Sequence, residues 1–189
     1  MRVGILALQG AFIEHKKIIE TLGYEAPEIR KAAQLDDLDG LIIPGGESTT
    51  IGKLATDYGL IDPLKTFGQE KAVWGTCAGM IFLAKKIGIA DQPILGLMDI
   101  EVERNAFGRQ VDSFETELSI TGLESGFEGI FIRAPKVKAV GPAVEVLSRL
   151  ADGTMVAVKE GHLLATSFHP ELTKDMRFHQ LFCDMIMLR

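Results

Sequence analysis

Short apolar runs alternating with helical segments constrain this chain more than any other feature. Residues 3–8, 39–43 and 72–74 are almost wholly apolar, the pattern of strands covered on both faces. Between the first two, Phe12, Ile13, His15, Ile18, Ile19 and Leu22 recur at helical spacing, and Gly23 supplies a stop. A shorter strand is expected near residues 26–30. Pro44-Gly45-Gly46 closes the next strand, and Ser48 or Thr49 is expected to cap a helix running to about Tyr58. Residues 79–86 read as a helix with Gly88 just beyond it. From residue 96 to 168 the character changes to alternating and β-branched segments, with strands expected at 100–104, 114–120, 129–132, 137–140, 144–147, 155–159 and 163–168. Asp152-Gly153 and Glu160-Gly161 are hairpin-turn dipeptides. A last helix is expected over 174–188, with Met176, Leu181, Phe182, Met185 and Ile186 facing inward. The pattern predicts one three-layer α/β/α domain over 1–189, with a mostly parallel central sheet and added β structure in the second half.

Composition removes several alternatives. With 189 residues, 47% hydrophobic and 24% charged, the chain has ordinary globular proportions and no bias towards disorder. The apolar run at the N-terminus stops at Gln9, shorter than a signal-peptide core, and no run reaches membrane-spanning length. Two cysteines cannot make a disulfide framework, which fits a reducing compartment and a cytoplasmic location. A net charge of −6 and the absence of a basic cluster argue against nucleic acid and membrane surfaces as partners.

Three segments carry chemistry. Gly75-Thr76-Cys77-Ala78-Gly79 follows a buried strand and opens a helix, the form of a nucleophile elbow with Cys in place of Ser. A strand that turns this sharply leaves no room for side chains beside the nucleophile, and thiolates form more readily at helix N-termini. A lone Cys is otherwise more often a packed apolar group. Phe168-His169-Pro170-Glu171 supplies the base and orienting carboxylate that such a nucleophile needs, in the order Cys, His, Glu. A strand-end His beside a turn proline is the plainer reading of that segment alone. Pro44-Gly45-Gly46-Glu47-Ser48-Thr49-Thr50 exposes backbone N–H groups after a strand, so that the N–H groups of Gly46 and Ala78 are candidates for an oxyanion hole. A Walker pattern is absent there.

Together these segments resemble the triad (class I) glutamine amidotransferases, which are flavodoxin-like. Within them the chain is similar to the family of glutaminase subunits of pyridoxal 5'-phosphate synthases. The likeness runs nearly end to end: Gly4 to Ala11, Pro44 to Thr50, Gly75 to Gly79, Val102 to Glu115, Phe131 to Pro135 and Ser167 to Leu172. The elbow and His-Pro-Glu are common to the wider group. Glu47-Ser48-Thr49-Thr50 and Arg104-Asn105-Ala106-Phe107-Gly108-Arg109-Gln110 are the specific segments, and no catalytic position departs from the family pattern.

The resemblance implies that Cys77, His169 and Glu171 form the triad. It places Gly46, Glu47, Ser48, Arg104, Ile132 and Arg133 where the family binds glutamine. It implies a glutaminase that passes ammonia to a synthase subunit in a hetero-oligomeric complex making pyridoxal phosphate (vitamin B6), with no cofactor on this chain. The elbow and triad do not by themselves name the substrate, so another cysteine hydrolase or peptidase shares them, and a non-catalytic scaffold is a third reading. Other candidates read as ordinary. His15 and His179 are expected to be partner-facing or solvated, His162 to sit in a hairpin and Cys183 to be a packed thiol. No group has metal-ligand spacing.

Overall fold

The computed structural model describes residues 1–88, 91–104 and 113–188. Strands β1 (Val3–Leu6), β3 (Gly40–Ile43), β4 (Ala72–Thr76) and β12 (Leu163–Thr166) are buried at every residue, as their unbroken apolar sequences require. With the two-residue β2 (Glu28–Ile29), they form a parallel block in the order β2-β1-β3-β4-β12.

The second half extends that sheet in mixed directions. β11 (Met155–Glu160), β9 (Lys136–Val140) and β6 (Met98–Glu103) continue antiparallel beyond β12, and β5 (Ala84–Ile87) lies parallel to β6 at the edge. β10 (Glu145–Arg149) pairs with β11 across the Asp152-Gly153 turn, and β11 with β12 across Gly161; both expected hairpins are present. β7 (Ser113–Leu118) and β8 (Phe127–Ile132) make a separate hairpin.

Successive side chains on a strand point to opposite faces, and the two halves of the core follow that rule. Leu41 and Ile43 pack with α2 (Ser48–Asp57), α3 (Ile61–Glu70) and α4 (Ala78–Leu83). Ile42 and Trp74 face α1 (Phe12–Thr21), α5 (Arg177–Met187) and the β7–β8 hairpin, where Phe127, Phe131, Phe178 and Phe182 form an aromatic cluster. The three-layer expectation therefore holds. No helix among the described residues is long and apolar enough to cross a membrane.

Several local expectations are corrected. The helix expected at 79–86 ends at Leu83, and the chain then turns extended into β5, with Ala84 and Ile87 buried and Lys85 and Lys86 exposed. Pairing with β6, Ala84 opposite Met98 and Lys86 opposite Glu101, holds those residues extended rather than helical, with a register shift between Ala84 and Lys86. Helix α3 was not expected from the sequence. It buries only Leu64, Phe67 and Gly68, and its Pro63 sits in the first turn, where the missing N–H costs nothing. The cap of α2 is Glu47, whose carboxylate accepts from the N–H groups of Thr49 and Thr50, rather than Ser48 or Thr49. The last helix begins at Arg177, which leaves Met176 36% exposed instead of inward.

Candidate active site

The elbow is built as its glycines require. Cys77 sits between β4 and α4 at φ 50°, ψ −104°, a backbone conformation that side-chain-bearing residues seldom adopt and that stores on the order of 1–3 kcal/mol. Its N–H donates to Thr166 O at 2.8 Å, tying the turn to β12. A Cβ on Gly75 would lie 2.5 Å from the carbonyl carbon of Gly79, and one on Gly79 would lie 2.9 Å from that of Ile43. Neither position has space for a side chain, so the two flanking glycines are a steric condition of the turn.

His169 follows β12, and Glu171 lies in the single 3₁₀ turn Pro170–Leu172. Pro170 at the head of that turn has a fixed φ and no N–H to satisfy. His169 N–H donates to Ile130 O at 2.8 Å, and Nδ1 meets Glu171 Oε1 at 2.7 Å. The other side of the ring faces Cys77. A Cβ on Gly45 would stand 2.5 Å from His169 Cε1 and 3.3 Å from Cys77 Cβ, so glycine there lets the ring and the thiol meet. Burial opposes a charge on His169. The hydrogen bonds and negative charges of Cys77 and Glu171 outweigh it and push the imidazole up to about 10. Burial likewise opposes charge on Glu171, but His15 and His169 hold its carboxyl below the usual range.

These groups open onto a cavity of about 500 Å³, large enough for an amino-acid-sized ligand. Gly46, Glu47, Ser48, Arg104, Ile132 and Arg133 all line it, together with Cys77, Ala78 and His169. Glu171 stands behind His169, 5% exposed. Glu47 has two tasks. Burial raises its carboxyl, but hydrogen bonds from Thr49 and Thr50 pull it down to about 2, and Arg104 Nη2 lies 3.4 Å from Oε1. Ser48 Oγ donates to Gln92 Oε1 at 3.2 Å, and Arg104 Nη1 donates to the same oxygen at 2.8 Å. Gln92 was not foreseen; it ties the arginine to the start of α2. Ile132 O approaches Cys77 Sγ at 3.9 Å, and Arg133 has a positive φ of 43°.

The glycine pair is pinned from three directions. Ala11 N–H donates to Gly45 O at 3.0 Å, Gly45 N–H donates to Thr76 Oγ1 at 3.0 Å, and Glu47 N–H donates to Gln9 Oε1 at 2.8 Å. The specific segment read from the sequence at 104–110 lies outside the described residues after Arg104.

Two expectations about histidines are corrected. His15 and His179 are fully buried rather than solvated or partner-facing. His15 Nδ1 meets His179 Nε2 at 2.9 Å, and His15 Nε2 lies 3.4 Å from Glu171 Oε2. The helical spacing of α1 had placed His15 among its apolar residues, and that was the available signal. His162, in its hairpin, meets Gly68 O at 2.9 Å through Nε2. Cys183 is a packed thiol as expected: free, fully buried and pushed up by that burial to about 12. Cys183→Ala is therefore expected to cost on the order of 1 kcal/mol of stability and leave activity unchanged. A folded but inactive variant would show that the reactive thiol had been misassigned.

Comparison with known proteins gives the family of the chain. The model of the SNO glutamine amidotransferase family matches residues 5–188. The chain is 59% identical to the pyridoxal 5'-phosphate synthase subunit PdxT of Dehalococcoides mccartyi (strain ATCC BAA-2266 / KCTC 15142 / 195), covering 98% of this chain and 97% of that one. It is 55% identical to the protein of the same name from Niallia circulans, covering 98% of both. A crystal structure of a glutamine amidotransferase superposes with a TM-score of 0.93 at 54% identity, covering 98% of each chain. A chain of the PurLQS structure from Thermotoga maritima, at 17% identity and a TM-score of 0.71 over 100% of this chain and 99% of that one, shares the fold. With a family match over nearly its whole length and relatives above half identity, the chain belongs to the SNO glutamine amidotransferase family.

Proposed function

We propose that this chain is a single glutaminase domain, the glutamine amidotransferase subunit of a pyridoxal 5'-phosphate synthase, and that Cys77, His169 and Glu171 carry its reaction. The observation that supports this most directly is the contact of one imidazole with both Glu171 Oε1, at 2.7 Å, and the Cys77 thiol, at the wall of a cavity of about 500 Å³. Cys77 sulfur attacks the side-chain amide carbon of glutamine. The carbonyl oxygen takes up the negative charge beside the N–H groups of Gly46 and Ala78. His169, holding the proton from the thiol, gives it to the departing nitrogen, and ammonia leaves as the C–N bond breaks. His169 then takes a proton from water as that water attacks the thioester, and glutamate and the thiol are released. Glu47, Ser48, Arg104, Ile132 and Arg133 hold the amino-acid end of the substrate. An arginine and backbone carbonyls suit its α-carboxylate and α-ammonium groups.

The relatives are named as synthase subunits, so the partner of this chain is the synthase subunit that consumes the ammonia. A free, buried thiol at the centre of the reaction needs a reducing compartment, in keeping with a cytoplasmic location. The test is glutamate release from glutamine, with a peptide amide as competing substrate, in the presence of the synthase. Preference for the peptide would replace the glutaminase with a peptidase.

Glu171→Gln separates chemistry from binding. The amide keeps the shape of the carboxylate but cannot stabilise an imidazolium. We expect kcat to fall by about 10²–10⁴-fold, with KM for glutamine changed by no more than about threefold. An unchanged kcat would mean that another group orients His169.

A further inference from the structure

We propose that His15, on α1, is a positioning residue of the triad: its Nε2–H stands beside Glu171 Oε2 at ion-pair distance, and His179 on α5 fixes the tautomer that keeps the proton there.

The argument starts from the second oxygen of Glu171. Oε1 is engaged by His169, but Oε2 is buried and makes no hydrogen bond among the described residues. A buried carboxylate oxygen left without a donor is costly. The polar group facing it is His15 Nε2, at the ion-pair distance of 3.4 Å, and both side chains are fully buried. Burial keeps both His15 and His179 below the ordinary imidazole range, so each ring carries one proton that must be placed.

Only one placement suits the neighbours. With the proton of His15 on Nδ1, a bare lone pair would face the carboxylate, and His179 Nε2 would have to accept at 2.9 Å. His179 would then carry its proton on Nδ1, an N–H buried with no partner. Orphaned buried N–H groups are rarer than under-used acceptors. With the proton on Nε2, His15 donates to Thr76 Oγ1, 3.3 Å away, and sets the positive end of the N–H beside Glu171 Oε2 at 3.4 Å, while Nδ1 accepts from His179 Nε2–H. What remains is an unused lone pair on His179 Nδ1 and the hydroxyl proton of Thr76, which is free to rotate, and neither sets a lone pair against the carboxylate.

The rings are held to this arrangement by packing. Trp74 meets His15 edge-on, with centroids 5.5 Å apart, and His179 at 4.9 Å; Phe178 and Phe182 close the same cluster around the indole. An apolar side chain would fill such a site at lower cost than two neutral imidazoles, so the polar pair answers to the carboxylate. A carboxylate tied at one oxygen can swing about its last torsion. With the His15 N–H dipole drawing on the other oxygen, it keeps Oε1 in line with His169 Nδ1. Thr76 Oγ1 also accepts from Gly45 N–H at 3.0 Å, so His15 sits between the triad carboxylate and the glycine loop.

This inference rests on the glutaminase reading, and its test keeps the two apart. Glutamate release by the wild-type chain with its synthase, lost in Cys77→Ala, establishes the glutaminase on its own. The inference is then read from a pair of substitutions of equal length, His15→Gln, which keeps a side-chain N–H, and His15→Met, which does not. Because both lose the ring packing, their difference isolates the donor. We expect kcat of His15→Met to fall by about 10–100-fold relative to His15→Gln, with KM for glutamine within about twofold between them. The acid limb of kcat should also move to higher pH in His15→Met, because a less compensated Glu171 takes up a proton more readily. The charged and titratable groups that act on His15 are Glu171, His169, His179 and Glu14, and Glu14 is unchanged in both variants. Equal kcat values for the pair, or a difference confined to KM, overturn the proposal. If His15→Met does not fold, His179→Gln and His179→Met repeat the comparison one residue further from the triad, and equal kcat values there overturn it as well.

Discussion

Cys77→Ala is expected to reduce glutamate release by about 10⁴–10⁶-fold, even with the synthase present, because no other group in the cavity can form the thioester. The structure predicts that this loss is chemical rather than structural. Alanine keeps the Cβ, so the strain of the turn at φ 50° is unchanged. The Cys77 N–H still donates to Thr166 O, and Gly75 and Gly79 still fit against their neighbours. A change of about 1 kcal/mol from the lost sulfur moves Tm by only about 2–4 °C in a chain of this size. A second effect checks the assignment without turnover. Part of what pushes His169 up to about 10 is the hydrogen bond and charge of Cys77. Removing the thiol leaves burial and Glu171 in opposition, so the imidazole should titrate lower in Cys77→Ala than in the wild type, as followed by NMR. Glutamate release comparable to wild type would end the case for this nucleophile. An unchanged His169 titration would show that the thiol and the ring are not coupled.

What the sequence disclosed and what it hid differ in range. The parallel block was legible because β1, β3, β4 and β12 are buried throughout, and such strands need no partner-specific information to be apolar. The elbow was legible because its steric demands are local: the glycines flank the cysteine in sequence as well as in space. Helix α3 was hidden by Pro63 and by a buried face of only three residues. The Glu47 cap ran against the preference for Ser and Thr at that position, but the longer side chain reaches the N–H groups of both Thr49 and Thr50. The least legible feature was the pair His15 and His179, 164 residues apart and in contact at 2.9 Å. Periodicity placed His15 on the packed face of α1, whereas residue type argued for solvent. Only the docking of α5 across the sheet supplies the second imidazole that makes burial tolerable.

The second large effect concerns control. Ammonia released without an acceptor wastes glutamine, and its acceptor is formed on the synthase subunit. We therefore expect little glutaminase activity from the chain alone and a rise of about 10²–10³-fold when the synthase binds, the value of one oxyanion donor. The device lies in the Gly45–Gly46 peptide. Its carbonyl is held by Ala11 N–H at 3.0 Å, and the next N–H, that of Glu47, is held by Gln9 Oε1 at 2.8 Å. Both anchors belong to the segment that leads into α1, at the carboxyl edge of the sheet. The first turn of that helix presents Ile13, 48% exposed, an apolar contact for a partner. A synthase that grips Gln9, Gly10 and this turn can therefore reset the peptide and bring an N–H onto the developing oxyanion, while Cys77, His169 and Glu171 stay in place. Glycines at both positions let the peptide turn at little steric cost. Two measurements decide. At saturating glutamine, glutamate release is compared with and without synthase; the activation should appear in kcat, since an oxyanion donor acts on the transition state rather than on bound glutamine. Separately, ammonium salts should let the synthase work without this chain, which would place its contribution in ammonia supply alone. Equal rates of glutamate release with and without the synthase would rule out partner activation and leave an independent amidase.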